Sequence, residues 1–130
     1  MSHFLEGGDV NPGFSCVITP VDGATVLSLS GELDIATAAE CGRCLAEAIA
    51  STEPARVVVD MKGVEFCDSS GLSVLISASA GAEASGGVLV LCELHPRIRR
   101  VLTITGLSRR FRTYDTVAEA IAALPRPITS

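Results

Sequence analysis

A chain of 130 residues, with nearly half its side chains apolar and fewer than a fifth charged, has room for one domain with its own core and none for a second. Its formal net charge of −5 disfavours nucleic acid as the main partner, because neutralising phosphates dominates that kind of binding. No uncharged apolar run approaches the roughly 18 residues of a membrane span, and "MSHFLEGGDVNPG" carries no basic segment leading into a hydrophobic stretch, so the expectation is a soluble protein of the cytoplasm, with no membrane partner. Nine arginines against a single lysine, in an alanine-rich chain, suggest a GC-rich bacterial genome.

In chain order, a flexible leader (1–13) gives way to Phe14–Thr19, where Phe14, Cys16 and Ile18 alternate with Ser15, Val17 and Thr19. Pro20-Val21-Asp22-Gly23 supplies turn residues and Thr25–Ser30 alternates again, which reads as a β-hairpin ended by Gly31. The stretch "ELDIATAAECGRCLAEAIA" then turns helical, with Cys41, Cys44, Leu45, Ala48 and Ile49 on one stripe and Glu40, Arg43 and Glu47 on the other. Thr37-Ala38-Ala39-Glu40 has the form of a capping box. That would leave Asp34 either free for another role or an N-cap or turn residue.

Arg56–Asp60 is a short β-branched run, the mark of a strand buried on both faces and therefore central. The helix after Asp68 places Leu72, Leu75, Ile76 and Ser79 on one stripe and ends near Ser85-Gly86-Gly87. Val88–Cys92 is a second buried strand, parallel and adjacent to the first by the right-handed crossover rule. Pro96 opens a short amphipathic helix, with Ile98, Val101 and Leu102 inward, that Gly106 closes. Phe111–Tyr114 is at most a short strand, and Thr116-Val117-Ala118-Glu119 caps a last helix before the prolines of a tail at 125–130. The expected fold is α/β, a mixed sheet of four or five strands with about four α-helices, the helices forming a layer over one face.

Five cysteines and no export signal argue for reduced thiols rather than a disulfide framework. Cys41-Gly42-Arg43-Cys44 has the spacing of a thiol redox pair, but it lies inside a helical pattern with no second CxxC, so both cysteines read as small core residues. Six of the ten basic residues (Arg97, Arg99, Arg100, Arg109, Arg110 and Arg112) fall between His95 and Tyr114 with no acid among them. They read as a solvated face, or as a patch that meets an acidic partner.

Catalytic constellations are scarce. His3 and His95 have no evident route to the serines, and "DSSG" lacks the preceding glycine of a nucleophile elbow. No phosphate-cradling glycine motif is present. Asp34, Asp60 and Asp68 all lie at strand-to-helix connections, where carboxylates serve as caps more often than as metal or acid–base sites. We therefore expect no enzyme, no metal and no cofactor.

"GELDIATA" (31–38), "DSSGLSVL" (68–75), the Gly86-Gly87-x-Leu89-x-Leu91 pattern and "VLTITGL" (101–107) follow one another in the order seen in STAS-domain proteins. The chain resembles a stand-alone anti-sigma factor antagonist of that family over about Phe14 to Leu124, so that residues 14–124 would form one STAS domain. The resemblance implies a partner switch. The unphosphorylated antagonist binds an anti-sigma factor with serine kinase activity and so frees a sigma factor; phosphorylation ends the contact, and a metal-dependent serine phosphatase resets it. By position, the phosphoacceptor would be Ser69, with Asp34, Asp68, Ser70 and Gly71 completing the partner-binding surface. Two other classes remain open at this point: a STAS interaction or ligand-sensing subunit that is never phosphorylated, and a small redox protein using Cys41 and Cys44. Cys67, two residues before Ser69, reads either as a buried, inert thiol or as a redox input, because a thiol near a helix N-terminus can have a lowered pKa.

Overall fold

The computed structural model describes residues 13–125. The expected leader (1–13) and tail (125–130) lie outside these residues except for Gly13 and Pro125. Phe14–Val21 (β1) and Ala24–Leu33 (β2) form the antiparallel hairpin, from Phe14 opposite Gly31 to Val21 opposite Ala24. The turn is only Asp22-Gly23, with φ of 52° and 79°, the two-residue connection whose twist matches its strands. Pro20 and Val21, expected in the turn, instead complete β1. That strand lies at the sheet edge, where a proline leaves no ladder partner wanting.

Arg56–Cys67 (β3) is the middle strand of the order β1-β2-β3-β4-β5, followed by Val88–Cys92 (β4) and Thr113–Tyr114 (β5). β2, β3, β4 and β5 pair in parallel. Both β2 and β3 run beyond their expected ends at Ser30 and Asp60, side by side as far as Leu33 and Cys67.

The helices are Ala38–Ala50 (α1), Ser69–Ala84 (α2), Pro96–Ile104 (α3) and Val117–Ala123 (α4), with a 3-10 turn at Leu107–Arg109. On one face, Leu27, Leu29, Val57, Val59, Leu89 and Leu91 pack with Leu45, Leu75, Ile98 and Leu102 of α1, α2 and α3. On the other, Val26, Val58, Val90 and Cys92 meet Ala120 and Leu124 at α4. The expectation of helices over a single face is thus corrected. Consecutive residues of β3 and β4 are apolar, so both faces need a cover, each fully buried Val or Leu contributing about 1.5–3 kcal/mol.

Reduced thiols throughout were also expected, and this too is corrected: Cys16 of β1 and Cys44 of α1 form a disulfide. Cys16 is an inward position of the first alternating run, and α1 lies over it. The odd cysteine count and the leader bear on the redox compartment, not on which side chains the fold brings together. Cys41, Cys67 and Cys92 are free and buried.

Candidate partner-binding site at the start of α2

The site is built on the Leu33–Cys67 rung, the last of the β2–β3 ladder. One residue beyond it on each strand lie Asp34 and Asp68, and the Asp68 amide donates to the Leu33 carbonyl at 2.9 Å, which locks the two strand ends together. Asp68 is extended (φ −94°, ψ −172°) and its Oδ1 accepts from the amides of Ser70 at 2.8 Å and Gly71 at 3.1 Å, capping α2. Ser69 is the first helical residue and is exposed, and among the described residues its hydroxyl has no hydrogen-bond partner. Ser70 is half-buried and bonds the cap through its backbone. Gly87 donating to Ala82 at 2.8 Å and Gly86 to Glu83 at 3.0 Å close the far end of the helix as the glycines implied.

Gly71, expected in the partner-binding surface, is also a packing position. It is buried, and a Cβ there would lie 2.7 Å from Leu33 Cβ, 2.8 Å from Leu33 O and 2.9 Å from Cys67 Sγ. Its missing side chain lets α2 close onto the strand ends, which fixes where Ser69 stands.

Asp34 is engaged. Its Oδ1 accepts from the amides of Ala36 at 3.0 Å and Thr37 at 3.1 Å, a local turn that leads into α1. Thr37 does not form the expected capping box. It is buried, and its hydroxyl donates to the Glu32 carbonyl at 2.7 Å while accepting from the Asp34 amide at 3.0 Å. The loop between β2 and α1 consumes the threonine that would otherwise have freed Asp34. All the carboxylate hydrogen bonds of Asp34 fall on Oδ1, so the half-buried group still presents negative charge beside Asp68.

Cys67 offers no reactive thiolate. Burial, and then the neighbouring Asp68 charge, push its pKa up to about 12, which favours the buried, inert reading over the redox input. Cys41 and Cys92 are likewise pushed up to about 12 by burial. Cys41 and Cys44 do not pair with each other, since Cys44 is bonded to Cys16.

Asp60 lies apart, buried on the α4 side of β3, with its Oδ1 accepting from the Lys62 amide at 2.9 Å. His95 caps α3, its Nδ1 accepting from Arg97 at 3.2 Å, and no group of three metal-ligating side chains occurs among the described residues. Two residues that sequence reasoning passed over complete the surface: Ile35, 79% exposed, follows Asp34, and Phe66, 49% exposed, precedes Cys67. The signal was present in Phe66, a large apolar residue beside an acid on a strand that had already left its buried register. Ser69 is thus a bare serine next to the Asp68 cap, and Ile35 and Phe66 are exposed apolar residues close in sequence to the two strand ends.

Residues 16–120 match the STAS domain family. The chain belongs to that family. It is 31% identical over 102 residues to an anti-sigma F factor antagonist of Paenibacillus polymyxa, covering 78% of this chain and 87% of the relative. It is 32% identical over 114 residues to the anti-sigma-F factor antagonist RsfB of Mycobacterium tuberculosis, covering 85% and 90%. The crystal structure of an anti-sigma factor antagonist from Mycobacterium paratuberculosis superposes with a TM-score of 0.76 at 30% identity, covering 92% of this chain and 98% of that one. The five-stranded mixed sheet with four helices is therefore the STAS fold, and among the described residues no helix is long and apolar enough to cross a membrane.

Proposed function

We propose that this protein is an anti-sigma factor antagonist working in the cytoplasm. It holds an anti-sigma factor with serine kinase activity while Ser69 is unmodified, and releases it once Ser69 carries a phosphate. The observation that carries the reading is Ser69 itself: the first residue of α2, exposed, with its hydroxyl unused because Asp68 already supplies the cap. The names borne by relatives about one-third identical over most of their length support the same partner class. The protein acts as ligand and kinase substrate, not as an enzyme, and a metal-dependent serine phosphatase returns it to the binding state.

The energetics favour a switch read at the interface. A phosphate adds about 1.5–2 negative charges beside Asp68 and Asp34. Exposed at a helix start it leaves the fold in place, whereas the same charge pressed against a partner surface costs several kcal/mol. Incubating the protein with ATP and the kinase retained by a Ser69→Ala bait, followed by mass spectrometry, tests this. We expect one phosphate, on Ser69, and none on Ser69→Ala. Phosphate on Ser70, or continued modification of Ser69→Ala, overturns the assignment, and no incorporation at all favours a non-phosphorylated STAS interaction subunit.

A further inference from the structure

The six arginines crowded between His95 and Tyr114 in sequence separate in space. Arg97, Arg99 and Arg100 lie in the first half of α3, and Arg99 reaches Asp115, just beyond β5, at 3.7 Å. Arg109, Arg110 and Arg112 lie at the other end of the sheet, before β5, where they line a groove of about 450 Å³ together with Gly87, Val88 and Leu89. Arg110 is anchored: its Nη1 donates to the Ser79 hydroxyl at 3.3 Å, from a serine only 2% exposed, and lies 3.5 Å from Glu83. Arg109 and Arg112 are exposed, with no carboxylate in ion-pair range among the described residues. Three guanidinium groups therefore face one carboxylate, on a chain whose net charge is −5.

The groove has a second component. β5 is two residues long and pairs only with Leu91 and Cys92; Val88 donates its amide to Ala55 on the β3 side, so it is Leu89, two residues before Leu91, whose backbone faces the side with no strand among the described residues. A free strand edge offers amide and carbonyl groups to an extended chain, and guanidinium forks match carboxylates in geometry and charge.

We propose that this groove docks an extended acidic segment of a partner protein, whose backbone adds to the free part of β4 and whose carboxylates meet Arg109, Arg110 and Arg112. The groove includes Glu83, at the C-terminal end of α2. The helix has 16 residues and spans roughly 24 Å, so the groove and Ser69 lie at opposite ends of it. The inference therefore stands independently of the phosphorylation reading.

The test is fluorescence anisotropy of the full chain with a dye-labelled hexaglutamate peptide, hexalysine as control and inorganic phosphate as competitor, read alongside backbone amide shifts. We expect saturable hexaglutamate binding, with a shift at Leu89. Arg109→Ser combined with Arg112→Ser should weaken it at least tenfold with unchanged thermal unfolding, and Ser69→Asp should leave it alone. Binding undiminished in the double variant overturns the proposal. So does no binding, which would leave the arginines as a charge guard on a strand edge. Inorganic phosphate binding as tightly as the peptide, without a shift at Leu89, also overturns it, in favour of a small-anion site.

Discussion

Ser69→Glu places a permanent carboxylate on the first residue of α2, and its effects on folding and on binding should differ by orders of magnitude. The side chain is exposed, so no packing is lost. A negative charge in the first turn gains about 0.3–1 kcal/mol from the helix dipole. Repulsion from Asp68, at a charge separation of roughly 6 Å in water-like surroundings, costs about 0.7 kcal/mol, so the net change in stability should lie within about 0.5 kcal/mol of zero. At a docked interface the same charge loses its water and faces a surface shaped for a neutral hydroxyl, for a penalty of about 3 kcal/mol or more. At about 1.4 kcal/mol per factor of ten, that is over a hundredfold in affinity. Urea unfolding gives the first quantity, and calorimetric titration against the anti-sigma factor retained by Ser69→Ala gives the second. A stability loss above about 2 kcal/mol, or an affinity within threefold of the parent protein, refutes a switch read at the interface.

Gly71→Ala should destabilise the domain by about 1–3 kcal/mol in urea unfolding, because its Cβ would press on Leu33 and Cys67 and force α2 away from the strand ends. Opening the Cys16–Cys44 bond, which spans 28 residues of sequence, should cost about 3.5 kcal/mol by the chain-entropy relation. Reductant should therefore lower the unfolding midpoint of the parent protein and leave that of a Cys16→Ser, Cys44→Ser variant unchanged. The buried thiols set an alkaline limit. Cys41, Cys67 and Cys92 are raised from 9.0 to about 12 in the folded state, so their contribution is complete below pH 9 and is lost as pH rises from 9 to 12. Stability followed across that window should fall less steeply for Cys92→Ala, and thiol labelling of the native protein at pH 8 should be slow.

The parts of this fold written in local patterns were readable. The β4 strand, the Asp68 start of α2, the Gly86-Gly87 close and the position of β3 in the middle of the sheet all follow from apolar runs and capping residues. The misreadings came where the period breaks. Past Ser28 the β2–β3 register shifts twice, so Lys62, Gly63, Glu65 and Phe66 do not alternate as a regular strand would, and the extension that carries the site was invisible. Gly31, which looks like a breaker, keeps β2 going at φ 110° because Gly13 passes so close that no Cβ would fit. Thr37-x-x-Glu40 looked like a capping box, yet a longer-range bond to the Glu32 carbonyl claimed the hydroxyl. The serine, its acidic neighbours and the motif that joins them were legible. The buried role of Gly71 depends on how two strand ends meet a helix, which no single stretch of sequence records.

The tie between Cys16 and Cys44 has one further effect. β1 is the outermost strand, held to the sheet by β2 alone, and such a hairpin arm is the element that identical molecules most readily exchange. Fastened to α1, β1 cannot peel off and be lent to a neighbour without breaking a covalent bond. Exchange of β1 between two copies of the oxidised chain would therefore require that bond to open first.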